Sequence, residues 1–294
     1  MENIYGIEYT KPKVYLLQDT GIGVSEFAAR TCYDSFDYSE NQAVKNLNHC
    51  VENDFVEDET NALNEIEDSE LLKDLAWTYF HHSILEHANL SFLIKGTSRG
   101  VLQEHARHRI QAISVRSTRY TMSGIINAFA CSIADENIAP DINFFVDKIL
   151  SFDMFVTSDA KYNRVEAEGI FAKLKYQLDV LGREEFLKTA VAKSSLDYIN
   201  GTEPAEIKFK LLQDGKKKRN VGDAFKHIIS DNVKVDMVVT FNLRSLKNYF
   251  DLRDSGAAFF QIRWLAQEMK KVTPQKYLGL IDKKFNEKEK SEND

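Results

Sequence analysis

The chain has 294 residues, 43% hydrophobic and 11% aromatic, and a formal net charge of -7. That is enough apolar material to bury a full core, as one large domain or one domain with an elaborate insertion. An acidic chain repels long polyanions, which argues against nucleic acid as a partner. No apolar run approaches bilayer length and Met1–Tyr9 contains acids rather than a hydrophobic leader, so a membrane span is not expected and the cytoplasm is.

The first strong pattern in chain order is Ala88–Lys95, where Leu90, Phe92 and Ile94 alternate with Asn89, Ser91 and Lys95, the period of a half-buried strand; Leu93 breaks it slightly. Ser98–Ala106 carries Val101 and Leu102 at helical spacing, and a short helix feeding a loop fits it. The loop reads Arg107 to Tyr120 and packs four arginines, a histidine, two serines and a threonine into fourteen residues with no Asp or Glu. Arginine is the side chain suited to planar, bidentate capture of phosphate, so this run is read as a phosphate or nucleotide site. The plainer reading is that each arginine pairs with one of the many acids elsewhere in the chain.

From about residue 126 to 222, Phe144, Phe145, Ile149 and Leu150, then Phe171, Leu174 and Leu178, recur at helical spacing and predict two to four helices. Asp214–Asn220 holds the basic run Lys216–Arg219 and is expected to be a solvated turn. Val235–Phe241 reads as a strand, Asn242 as the N-cap of the following helix, and Ser255–Val272 as helical. Arg253 has a structural alternative, a cation favoured by the dipole at a helix end. Residues 282–294, nearly all charged or polar, are expected to fray. Cys32, Cys50 and Cys131 are scattered, as free thiols in a reducing compartment would be. The fold expected is α+β, a small twisted, mainly antiparallel sheet surrounded by helices, with a mostly helical insertion.

Arg107-His108-Arg109, seven residues, Ser117, closed by Arg119-Tyr120, resembles the signature of the flavin-dependent thymidylate synthases. Further segments agree in order: Ala29–Tyr33 is similar to the family's first helix, His81–His87 to its His and Glu-His segment, and Lys95–Arg99 with Gln103-Glu104 to the approach to the arginine motif. Val239–Arg253 resembles the segment ending in a second phosphate arginine, and Ile262–Met269 the closing helix. The likeness covers about residues 12 to 125 and 223 to 280; between them lies more chain than the family usually has, hence the insertion.

The resemblance implies methylation of C5 of dUMP, with methylenetetrahydrofolate as carbon donor and FAD, recharged by NADPH, as reductant, in a homotetramer with shared active sites. It places His81, Ser83, Glu86, Arg107, His108, Arg109, Ser114, Asn242, Arg244 and Asn248 with the flavin. It places Gln103, Glu104, Arg107, Arg116, Ser117, Thr118, Arg119, Lys226 and Arg253 with the nucleotide, Ser117 and Arg253 acting in catalysis, Ser117 as a positioning donor rather than a nucleophile. His81, His82 and His87 are close enough to suggest a metal, but no Cys or acid at a zinc spacing accompanies them, and none is expected.

Several positions depart from the family pattern: Ser114 and Val115 stand where Asn or Ser and Glu or Gln are common, and Lys226 replaces a frequent arginine, losing its fork. Ala257 and Phe259 replace His and Gln. The alternative that Val115, Ala257 and Phe259 raise is a nucleotide- and flavin-binding relative without turnover.

Overall fold

The computed structural model describes residues 1–53, 57–133, 140–214 and 221–286. The chain divides into two compact units, the first made of Met1–Lys11, Ser98–Gly100 and Arg116–Val235, the second of Pro12–Thr97, Val101–Val115 and Asp236–Asp294. In the first unit, β1 (Glu2–Ile4) and β2 (Ile7–Tyr9) form an antiparallel hairpin. Its two-residue turn, Tyr5 and Gly6, has φ of 51° and 87°, the twist that suits a tight hairpin and that Gly6 meets without strain.

The sheet runs β3 (Lys13–Asp19), β4 (Asn89–Ser98), β5 (Ala112–Val115) and β6 (Lys234–Asn242), in spatial order β3-β4-β6-β5. β3 pairs antiparallel with β4, and β5 with β6. The alternation read in the sequence is realised in β4, where Leu90, Phe92 and Ile94 are all fully buried. Around the sheet lie α1 (Gly23–Tyr33), α2 (Gln42–Asn53), α3 (Glu57–Ala62), α4 (Glu70–Trp77) and α5 (Arg99–His105). The first unit then takes α6 (Thr118–Ser132), α7 (Ile142–Ser151), α8 (Ala160–Leu181), α9 (Arg183–Ala190), α10 (Leu196–Asn200), α11 (Ala205–Asp214) and α12 (Val221–Phe225). The chain ends with α13 (Leu243–Arg253), α14 (Phe260–Val272) and α15 (Gln275–Ile281) in the second unit. The α+β architecture is as expected.

Each unit has its own core. In the second, β4 and β6 residues Phe92, Ile94, Val239 and Phe241 pack with Leu246, Tyr249, Phe250, Leu265 and Met269 of α13 and α14. In the first, Phe129 of α6 is ringed by Phe145, Phe171 and Phe186 at centroid distances of 5.4–5.9 Å in tilted or edge-to-face geometry.

Three expectations are corrected. The stretch 126–222 carries more than two to four helices: five, α7 to α11, lie wholly within it among the described residues. The extra ones are short, such as five-residue α10, too short to show a period. The arginine run is not one loop, because Ala112–Val115 pairs in register with Met237–Thr240 and Thr118 already opens α6. The closing helix starts at Phe260, not Ser255, with Ser255–Phe259 forming the turn before it. The basic run at 216–219 and the tail from 287 onward lie outside the described residues. Among the described residues no helix is long and apolar enough to cross a membrane.

Candidate active site

α13 is where β6 delivers its chain to the site. The Asn242 side chain caps the helix, accepting a hydrogen bond from the Ser245 N–H at 2.8 Å, so the helix starts where the strand stops. Arg244 and Asn248, four residues apart, share one face of α13 and Arg253 stands at its last turn; with Arg107, His108 and Arg109 they line a cavity of about 1040 Å³ in the second unit. Ile110, Leu252, Ala257 and Ala258 give it apolar wall. Its size and its mixture of cations and apolar surface are those of a site for a large, anionic, partly aromatic ligand.

Arg253 is the most constrained of these groups. Its Nη1 donates to Glu104 Oε2 at 2.8 Å, Nη2 to the Glu104 carbonyl at 3.3 Å, and Nε to His108 Nε2 at 2.9 Å. Three of the five guanidinium donors are thus engaged and the plane is fixed. Because His108 Nε2 accepts, the imidazole is neutral with its proton on Nδ1. Burial, with Arg253 and Arg107 beside it, lowers the His108 pKa to about 4.

Below this pair, the His108 ring meets Tyr249 edge-on at 4.7 Å, and the Tyr249 hydroxyl, fully buried, lies 3.1 Å from His105 Nδ1. Burial, reinforced by His108, lowers the His105 pKa to about 3. Burial pushes the Tyr249 phenol well up, so it stays protonated and donates to His105. The Gln111 amide donates to the carbonyls of His105 and His108 at 2.9 and 2.8 Å, holding the turn that carries Arg107 and Arg109.

A second cavity of about 320 Å³, in the same unit, is lined by His81, Ser83, Arg244, Tyr33, Cys32 and Phe80 among others. His81 Nδ1 lies 2.8 Å from the Tyr33 hydroxyl. His82 lines both cavities and donates from Nε2 to the Ala76 carbonyl at 3.0 Å, which fixes its tautomer. Arg244 also lines both and is paired with Glu86.

The anticipated residues therefore fall into groups. Arg107, His108, Arg109, Arg244, Asn248 and Arg253 share the larger cavity, and His81 and Ser83 the smaller. Glu86, Glu104 and Asn242 hold other site residues rather than lining either cavity. Gln103 is exposed on α5, and Ser114 is exposed on β5 opposite Val238. Arg116, Ser117, Thr118, Arg119 and Lys226 belong to the first unit. There the Ser117 side chain caps α6 by accepting from the Arg119 N–H at 3.3 Å, and Arg119 Nε pairs with Asp223 at 3.0 Å.

Sequence reading missed His105, Tyr249, Lys247 and Asp223. Lys247 lines the larger cavity, with its ammonium 4.5 Å from the Trp77 ring centroid and 3.2 Å from Asp251. A Lys one residue before Asn248 was the available signal; the Arg119 partner, 104 residues away, left none.

The sequence matches the model of the family described as thymidylate synthase complementing protein over residues 16–276. It is 27% identical over 270 residues to the flavin-dependent thymidylate synthase of Campylobacter jejuni strain RM1221, covering 92% of this chain and 96% of that one. It is 25% identical over 263 residues to that of Helicobacter pylori strain 26695, covering 90% and 94%. The solved structure of thymidylate synthase X from Helicobacter pylori with FAD and dUMP shares the fold, with a TM-score of 0.55 at 22% identity over 92% of this chain and 97% of that one. The family match spans the region between the two halves of the arginine signature's likeness as well, and with it this chain belongs to the thymidylate synthase complementing protein family.

Proposed function

We propose that this protein is a flavin-dependent thymidylate synthase that converts dUMP to dTMP, with methylenetetrahydrofolate as carbon donor. The observation that carries the reading is the larger cavity, in which Arg107, Arg109, Arg244 and Arg253 converge with Asn248 and an apolar wall. FAD fits this donor set: its pyrophosphate calls for guanidinium groups and its ring system for flat apolar surface. When bound, FAD supplies the reducing electrons, replenished from NADPH, that the transferred carbon needs to become a methyl group.

In this reading Arg107, Arg109, Arg244, His108 and Asn248 bind the flavin, with His81 and Ser83 from the smaller cavity and Ser114 from β5. Asn242 and Glu86 contribute by placing α13 and Arg244. Arg253, oriented by Glu104 and His108, meets the nucleotide where negative charge develops on the pyrimidine. Neutral His108 cannot give up its hold on Arg253 by taking a proton at neutral pH. Gln103, Arg116, Ser117, Thr118, Arg119 and Lys226 bind the nucleotide in this reading, with active sites shared between the subunits of a homotetramer. We place the enzyme in the cytoplasm, where its free cysteines stay reduced.

Two of the positions that raised a non-catalytic alternative have packing roles. Val115 packs against the core of the second unit, and Phe259 meets Phe260 edge-on at 4.8 Å. The test is direct: the purified protein should take up FAD and release tritium from C5-labelled dUMP when given NADPH and methylenetetrahydrofolate. Protein that binds dUMP but releases no tritium with FAD bound would overturn the catalytic reading.

A further inference from the structure

The two cavities of the second unit share two lining side chains, His82 and Arg244. Arg244 has a task in the reading above, and His82 has none. Its ring is held on two sides: Nε2 donates to the Ala76 carbonyl at 3.0 Å, and the Phe80 ring meets it edge-on at 6.0 Å. A backbone carbonyl only accepts, so in the neutral ring the proton sits on Nε2 and Nδ1 is an acceptor. That Nδ1 has no partner among the described residues. The segment before it is strained. Phe80 takes a φ of 56°, in the left-handed region ill suited to a bulky residue, while the next N–H, that of His81, is tied to the Leu75 carbonyl at 2.8 Å. Strain of this kind persists where packing enforces it and gathers at ligand sites.

We propose that His82 Nδ1 and Arg244 form an acceptor and donor pair that grips the edge of the isoalloxazine ring where its N3–H stands beside a carbonyl. The argument is complementarity. Arg107, Arg109, Arg244 and Arg253 offer the larger cavity donors and no acceptor, and the Nε2 of His108 is taken by Arg253. A ring bearing an N–H needs an acceptor from another side chain, and His82 supplies one whose orientation is fixed before the ligand arrives. Tyr33 and Phe80 give the smaller cavity the aromatic surface a flat ring needs. Arg244 can turn from Glu86 to a ligand carbonyl at little cost, since the two side chains are 55% and 45% exposed. Uracil presents the same edge, but the neighbours of His82, namely Arg244, His81 and Ser83, are those assigned to the flavin. The proposal rests on that reading and adds a contact to the same site.

The test is an NMR spectrum of the ring nitrogens in full-length protein labelled at histidine, with His82→Gln to assign the signal. Saturating FAD should move the His82 Nδ1 resonance as an acceptor moves when it gains a hydrogen bond, and dUMP alone should not. Affinity is then compared for FAD and for FAD methylated at N3, which has lost the N–H. The wild type should prefer FAD about five- to ten-fold. His82→Gln keeps a donor for the Ala76 carbonyl and offers no acceptor in place of Nδ1, so it should lose that preference. A variant that is merely less well folded would bind both flavins more weakly and keep it. An Nδ1 signal unmoved by bound FAD, a shift with dUMP instead, or an undiminished preference in His82→Gln would overturn the proposal and leave the synthase reading standing. Protein that takes up neither ligand would overturn both.

Discussion

Replacing Arg253 with Gln should raise the titration midpoint of His108. In the wild type that midpoint lies at about 4, against 6.5 for an ordinary histidine. At 1.36 kcal/mol per pH unit the difference corresponds to ~3.4 kcal/mol, and to ~1–2 kcal/mol once the partial exposure of His108 is allowed for. Burial is the largest cause and remains in the variant, as does the Arg107 charge; the Arg253 charge is the second cause and disappears, so the midpoint should rise from about 4 and stop short of 6.5. The linkage has a defined sign. The unfolded chain takes up a proton at His108 first, so stability falls as pH drops from 6.5 to about 4 in the wild type and over a narrower window in the variant. The assay is a pH titration of histidine ring carbons by NMR on selectively labelled protein, with His108→Gln to assign the resonance. A His108 midpoint unmoved in Arg253→Gln would refute the idea that the guanidinium bonded to Nε2 keeps this ring neutral.

Arg119→Ala should lose dUMP affinity by on the order of 1.5–3 kcal/mol by calorimetry, as expected for a charge-assisted bond removed. Asp223→Asn, which releases Arg119 from an exposed pair, should tighten binding by up to about five-fold, and equal affinity in both variants would take Arg119 out of the nucleotide site. Ser117→Ala removes the cap of α6, costing ~0.5–1 kcal/mol, and should lower the rate of tritium release while leaving flavin content unchanged; flavin loss would be the contrary result. Tyr249→Phe deprives buried His105 of its hydroxyl partner and should cost ~1–3 kcal/mol in denaturant unfolding, with an unchanged midpoint contradicting the bond at 3.1 Å.

What the sequence made legible follows from how strongly burial is patterned. β4 could be read because its side chains alternate between core and surface, and α13 because Asn242 marks its start with a residue type that suits the job. β5 could not be read: Ala112, Ile113 and Ser114 are all exposed, so its strand character comes from backbone pairing with β6 and leaves no mark on side-chain order. The boundary at Ser117 was hidden for a related reason, since a serine read as a ligand donor is also a common helix cap. In the site, the residues projecting into the cavity were found because arginine is chemically conspicuous. The groups behind them, Tyr249 and His105 in the core, were not, nor was Asp223, which pairs with Arg119 in the first unit, because long-range partners carry no local signature.

The paired state of the arginines shows how an acidic chain can keep a cationic site ready for anions. Arg244 with Glu86, and Arg119 with Asp223, are pairs in which every side chain is 45% exposed or more. Such pairs contribute ~0–1 kcal/mol, so a phosphate that displaces the carboxylate gives up little stability and gains a bidentate partner. Arg253 with Glu104 is different, at 15% and 33% exposure, and is backed by a carbonyl and by His108. Displacing that carboxylate would leave a partly buried charge with its strongest partner lost, which costs more than an exposed exchange. The loosely paired arginines can thus exchange a carboxylate for a phosphate at little cost, while Arg253, held by Glu104 and His108, keeps a fixed orientation.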